Sequence, residues 1–436
     1  MMRIAFRIAA LWLIVLWSVP ARAEIDVQVL TSPDGHPFWL VQEMSIPIVA
    51  VEISLPTGAW MDPEGKEGVA GFAMGLMDEG SGELDAVAFA ERRSDLAARF
   101  GFSAGAETSS ISARFLIETL DESAALLALA MTQPRFDAAA VERVRSQVLS
   151  GIAQSQKSPN AIASRTWYSQ AFPGHPYGRS SRGTPETVNA ITIDDLRDAH
   201  RRLLITAGVH VAIVGALTPE GAGNLVDRLL AGLPEGEARR IPLAGTAPPP
   251  GVTVVEQDVP QSVALFGHAG IDPDDPEFLA AAVANHILGS GSFSARLTEE
   301  IRVKRGLAYS VSSSLTTGNG AHVVIGSVQT ANARMAESIE VIRTEWEKMA
   351  AGDISQEDVD AAKTYLTGSF PLSFDTNAKI AGYLVWAMGR GFDSDYVNQR
   401  NVRIEALTLA DVQRAARRLY QPDALSIVIV GQPDGL

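Results

Sequence analysis

AITIDDLRDAHRRLLITAGVHVAIVG (residues 190–215) and ALTLADVQRAARRLYQPDALSIVIVG (residues 406–431) align without a gap at an offset of 216 (406 − 190). Ten of the 26 positions are identical: Ala190, Thr192, Asp195, Ala199, Arg201, Arg202, Leu203, Ile213, Val214 and Gly215 each find the same residue in the second copy. Both copies carry the same local instructions. A threonine (Thr192 or Thr408) precedes an apolar-periodic run, and an acid (Asp195 or Asp411) stands three residues on, the capping-box signature of a helix start. The helix runs to Leu203 or Leu419, and a β-branched strand follows at 209–214 and 425–430. A helix–strand unit repeated at half-chain spacing predicts two domains of one fold.

Between the copies, residues 235–252 have linker composition, with three consecutive prolines, Pro248 to Pro250. They separate an N-terminal domain, 24–234, from a C-terminal one, 253–436. In the first, 27–30 and 38–42 read as a hairpin around a Ser-Pro-Asp-Gly-His-Pro turn and 49–55 as a strand. Helices are expected at 69–77, 86–99 and 138–154. In the second, strands are expected at 263–267, 308–315 and 322–328, with helices at 277–288 and 331–351. Strands and helices mix without βαβ alternation, which predicts an α+β fold, a mainly antiparallel sheet packed with helices in each half.

The 436 residues carry 36 basic and 51 acidic side chains, a net charge of −15, and no cysteine. Phosphate backbones bind concentrated positive surface, so this balance argues against a nucleic-acid partner. The lack of cysteine excludes disulfides, thiolate metal sites and a cysteine nucleophile. Arg3 and Arg7, the apolar run 8–19 and Ala21-Arg22-Ala23 before Glu24 read as a cleavable secretory signal, residues 1–23. A soluble, exported, periplasmic protein with no membrane span is expected.

Local motifs for chemistry are few. The seven histidines (His36, His175, His200, His210, His268, His286 and His322) form neither H-x-x-E-H nor H-E-x-x-H. Gly289-Ser290-Gly291-Ser292 follows a helix rather than a strand, which makes it a weak phosphate loop, and a serine there lacks any recognisable base.

Several separated segments together resemble the pitrilysin/insulinase-type (inverzincin) metallopeptidases, in particular the half-size subunits related to the mitochondrial processing peptidase. TGAWMDP at 57–63 with GVAGFAMGLMDEGSG at 68–82 resembles the zinc helix and its lead-in. Residues 141–159 and AFPGHPYG at 171–178 resemble the helix bearing the third ligand and the loop after it. LGSGSFSARL at 288–297 with RVKRGLAYSV at 302–311 resembles the signature of the second domain. Active members carry H-x-x-E-H on the first helix, two zinc ligands and a general base, and a distal glutamate ligand. Here those positions fall on Gly71, Met74, Gly75 and Gly151, so no metal is expected in this chain. Asp78 and Glu79 stand nearby and read as solvated carboxylates at a helix end.

The second-domain signature is intact. The resemblance implies that Tyr309 hydrogen-bonds the scissile carbonyl and Arg302 holds substrate backbone, and that Gly289, Gly291 and Ser292 form a substrate-side loop. Gly306 reads as the residue ending the helix that carries Arg302. Leu307, Tyr309 and Val311 read as one strand face, with Tyr309 as core and Arg302 as a solvated helix end as the structural alternatives. The expectation is a non-catalytic subunit, inactive alone, that completes the zinc site of a homologous H-x-x-E-H-bearing partner acting on short or unfolded peptides. A purely structural subunit and an exported peptide-binding, chaperone-like homodimer are the alternatives.

Overall fold

The computed structural model describes residues 25–244, 248–290 and 294–436. The signal and its cleavage site lie outside the described residues. Among those described, no helix is long and apolar enough to cross a membrane.

Six strands form the first sheet: β1 (Gln28–Thr31), β2 (Pro37–Gln42), β3 (Ile48–Leu55), β4 (Arg99–Ala104), β5 (Ser109–Leu116) and β6 (His210–Gly215), in the order β1-β2-β6-β3-β5-β4. Five form the second: β7 (Gly251–Glu256), β8 (Gln261–Ala269), β9 (Ala308–Thr317), β10 (His322–Ala331) and β11 (Ser426–Gly431), in the order β7-β11-β8-β10-β9. The run β2-β6-β3-β5-β4 of the first sheet has the same order as β7-β11-β8-β10-β9 of the second, and β1 has no counterpart. The pairs β2–β6 and β7–β11 are parallel and the remaining ladders antiparallel. The quoted repeat forms as read. Helices Ile193–Leu203 and Leu409–Leu419 both start on complete capping boxes, from Thr192 with Asp195 and from Thr408 with Asp411.

Each sheet has an inner face against its own helices. On the first, Val49, Val51, Ile53 and Phe115 are buried under local helices. On the second, Phe266, Val324, Ile427 and Ile429 are buried with Trp346. The opposite faces are covered by exchange. Helix Pro159–Ala171, from the first half, packs on β8 and β11 of the second. It buries Trp167 against Val263, Val428 and Val430, and the Trp167 indole N–H reaches the Ser426 carbonyl at 3.3 Å. Helix Asn377–Gly389, from the second half, packs on β3 and β6 of the first, burying Ala381, Leu384 and Ala387 over Trp39, Ala212 and Val214. Neither covering helix reaches the β4–β5 or β9–β10 side of its sheet to the extent that it covers these central strands.

Three expectations change. The helix read as 86–99 is Ala86–Asp95, and Ala97 turns the chain at φ +50° into β4, where Phe100 and Phe102 pack on the core. The helix read as 69–77 ends at Met74, so Gly75 is a cap rather than an interior glycine. The described parts of the connector read as 235–252 are held on both sides of residues 245–247. Ile241 is buried, the Ala244 N–H donates to the Gly320 carbonyl at 2.7 Å, and Gly251 already belongs to β7.

Candidate functional site

The helix Val69–Met74 stands where a metal-binding helix is expected. Its N-terminus is held by Asp62, whose carboxylate accepts the N–H groups of Gly68 (2.8 Å) and Ala70 (3.1 Å). Burial pushes the Asp62 carboxyl up to about 7, against those two bonds and the charges of Arg202 and Arg179. Gly71 and Gly75 are exposed, and a Cβ at Gly71 or Gly151 would meet nothing within 4 Å. Packing therefore does not demand glycine at those two positions. Met74 is buried in the core of the first half.

The nearby carboxylates are engaged elsewhere. Arg93 binds Asp78 at 2.5 Å, and Arg143, on the helix Ala138–Lys157 that also carries Gly151, grips both oxygens of Glu79. They are ion-paired rather than merely solvated. Among the described residues no three His, Asp or Glu side chains gather to hold a metal ion. Glycine offers no donor, and a buried thioether is a poor ligand for zinc, so the residues present do not fit the group.

Arg302 and Tyr309 are brought together. The segment Thr298–Lys304 is a π-helical turn, closed by the Leu307 N–H on the Ile301 carbonyl at 2.8 Å, with Gly306 at φ +61° as the terminator. β9 then enters the sheet through a bulge: Ala308 opposes Thr330, but Ser310 opposes Gln329, leaving Tyr309 unpaired. This overturns the shared strand face. Leu307 and Val311 are buried while Tyr309 is 80% exposed, because the extra residue re-aims its side chain outward. The Arg302 guanidinium carbon lies 4.6 Å from the Tyr309 ring centroid, a cation–π contact. The basic neighbours Lys304 and Arg305 are both tied to Glu300, whose carboxyl they hold down at about 2. Beyond the bulge, Ser310, Ser312, Ser314 and Thr316 lie exposed along β9, the edge strand of its sheet.

Gly289 has a packing reason. A Cβ there would sit 2.7 Å from the Ser313 hydroxyl and 2.9 Å from Leu297, so the helix Phe278–Gly289 closes on β9 only without a side chain. Gly291 and Ser292 lie outside the described residues. The serine read as lacking a base has one beside it: the Ser290 hydroxyl bonds His286 Nδ1, and that imidazole stacks on Tyr365 at 4.7 Å. The pair stands one turn apart at the helix end.

Two features escaped sequence reasoning. A cavity of about 310 Å³ lies between the halves, walled by Trp60, Tyr168, Phe172 and Tyr177 on one side and the β9–β10 hairpin on the other, with a Glu67–Arg179 ion pair at 3.6 Å. A second cavity, about 460 Å³, adjoins the Arg302–Tyr309 pair and includes Arg334, Gln261 and Gln329. Arg334 is 25 residues beyond Tyr309 (334 − 309) and arrives through the β9–β10 hairpin. The two strands were legible; the exit position of the following residue was not.

Comparison with known proteins matches this architecture. A family model described as Insulinase (Peptidase family M16) matches residues 39–185, and one described as Peptidase M16 inactive domain matches residues 190–366. A Helicobacter pylori protein named as a non-peptidase homolog is 25% identical over 389 residues, covering 88% of this chain and 89% of its own. The crystal structure of a peptidase M16 inactive domain from Pseudomonas fluorescens is 27% identical with a TM-score of 0.88, covering 94% of this chain and 98% of that one. A protease structure from Helicobacter pylori, 18% identical with a TM-score of 0.83 over 94% of this chain and 100% of that one, shares the fold.

Proposed function

The chain belongs to the M16 peptidase family, and from that premise we propose that it is the non-catalytic subunit of an exported, heterodimeric zinc peptidase. The carrying observation is a contrast within one chain. The positions for metal and base hold Gly71, Met74, Gly75 and Gly151, while Arg302 and Tyr309 are kept together on an exposed edge by a π-turn and a bulge. Similarity to proteins named as a non-peptidase homolog and an inactive domain supports the first half of that contrast.

In this reading a homologous partner retaining H-x-x-E-H would hold the zinc and supply the hydrolytic chemistry. This chain supplies two groups. The Tyr309 phenol donates a hydrogen bond to the carbonyl oxygen as negative charge builds on it. The Arg302 guanidinium, already oriented by the ring beneath it, binds a substrate carbonyl through its fixed N–H fork. The edge of β9 offers unpaired backbone to an extended peptide. Export rests on the secretory signal at 1–23.

The test is peptidase kinetics on the complex reconstituted with a candidate partner, using Tyr309→Phe and Arg302→Ala, with subunit association measured on the same variants. Wild-type turnover in Tyr309→Phe would remove the shared-site reading and leave a structural or peptide-binding subunit.

A further inference from the structure

We propose that the cavity beside Arg302 and Tyr309 is a carboxylate-binding subsite, with Arg334 as its selector, so that the peptides it takes present an acidic group there. The inference rests on the reading above only in taking the ligand to be a peptide.

The lining is one-sided in chemistry. Arg302 and Arg334 supply positive charge, and Tyr309, Ser310, Gln261 and Gln329 supply neutral polar groups. Among the described residues lining it, none is acidic. In a chain of net charge −15 this is a local reversal of sign, and a cationic recess is where an anion is both drawn and held.

The wall is also pre-organised. Arg334 donates from Nη1 to the Gly306 carbonyl at 2.6 Å, which fixes its guanidinium against the chain terminator of the π-turn. A guanidinium has five N–H donors, so this bond orients the fork without exhausting it. The Gln329 amide N–H donates to Gln261 Oε1 at 3.0 Å, which orients the Gln261 amide nitrogen as a further donor. The amide and guanidinium donors together match what a carboxylate accepts, and a neutral amide in its place would leave the charge of Arg334 unanswered.

An Asp or Glu side chain and a C-terminal carboxylate share this chemistry, and the experiment separates them. Fluorescence anisotropy on the isolated full-length mature chain would compare four labelled peptides of one sequence, with an internal Glu or Gln and a free or amidated C-terminus. Loss of about tenfold to a hundredfold in affinity is expected on neutralising one of the two carboxylates, the size of a charge-assisted hydrogen bond lost. That difference should weaken with salt, vanish in Arg334→Gln and persist in Arg334→Lys, thermal melting confirming that each variant is folded. Sensitivity to the internal Glu assigns a side-chain subsite, and sensitivity to amidation assigns a terminus.

Equal affinity for all four peptides, no measurable binding, or discrimination unchanged in folded Arg334→Gln would overturn the proposal. Because the measurement needs no partner, it separates from the shared-site mechanism. A silent Tyr309→Phe in the reconstituted complex with acid discrimination intact would sink that mechanism and leave the subsite standing.

Discussion

Tyr177 donates its phenolic hydrogen bond to a Glu107 carboxylate oxygen at 2.6 Å, joining the β4–β5 turn to the loop after the exchanged helix Pro159–Ala171. The other Glu107 oxygen accepts the Asn319 N–H at 2.7 Å, and the Tyr177 oxygen accepts the Gly320 N–H at 2.9 Å. One carboxylate and one phenol thus clasp the tip of the β9–β10 hairpin from the other half of the molecule. Burial, then the Glu107 carboxylate, pushes the Tyr177 hydroxyl well above its ordinary range.

Glu107→Ala should remove both acceptors and leave the Asn319 N–H and the Tyr177 hydroxyl to water. The expected loss is about 1–3 kcal/mol of stability. Amide hydrogen exchange at 318–321 should rise above wild type while that of β3 and β6 changes little. Unaltered protection at the hairpin tip would show that the clasp does not hold the halves.

Trp167→Ala should be among the more damaging single changes. The ring is fully buried between halves, and large-to-small changes of this kind cost about 3–5 kcal/mol. Calorimetry is the check. If the exchanged helix governs cooperation between the halves, the single transition should also broaden or split, whereas a mere cavity would lower Tm alone.

For the Arg302–Tyr309 pair, Tyr309→Phe should lower kcat of the reconstituted complex about 10²–10³-fold, or roughly 3–4 kcal/mol of transition-state stabilisation. The hydroxyl of an 80% exposed residue contributes little to folding, so Tm should hold. Arg302→Ala should raise KM as well, since the guanidinium grips ground-state backbone. A KM unchanged in Arg302→Ala would contradict that role.

Glu52 introduces a pH dependence. It stands opposite Ala212 and Ser112 in the first sheet, on the face covered by helix Asn377–Gly389, and burial raises its carboxyl from 4.5 to about 7. A carboxyl raised on folding keeps its proton longer in the native state, so its contribution is full below about pH 4.5 and is lost as pH rises through 7. The swing is on the order of 2–3 kcal/mol. Glu52→Gln should flatten that part of the stability profile, as followed by urea unfolding between pH 5 and pH 8. A slope of wild-type size in the variant would assign it to other groups.

The repeat at 190–215 and 406–431 disclosed the duplication because capping boxes and β-branched strands are local signals, and tertiary context left them alone. The bulge at Tyr309 was hidden for the opposite reason. Leu307, Tyr309 and Val311 keep a strict alternation, and only pairing against Thr330 and Gln329 reveals the extra residue. Helix exchange was equally silent. Residues 159–171 carry a narrow stripe of Ala163, Trp167 and Ala171 at a four-residue spacing, and nothing in that pattern names which sheet receives it. Gly289 could be read as a helix end from sequence, but its closeness to Ser313 is a fact of three-dimensional packing.

The two exchanged helices also fix an order of events during synthesis. β6 is complete at Gly215, yet the apolar strip of Trp39, Ala212 and Val214 has no cover until residues 377–389 have emerged. Helix Pro159–Ala171, already made, must likewise wait for β8 and β11, and β11 is complete only at Gly431. The nascent N-terminal half therefore carries two uncovered apolar surfaces while residues 216–376 are being made, a span in which a holdase has something to bind and a truncated product has nowhere to bury them.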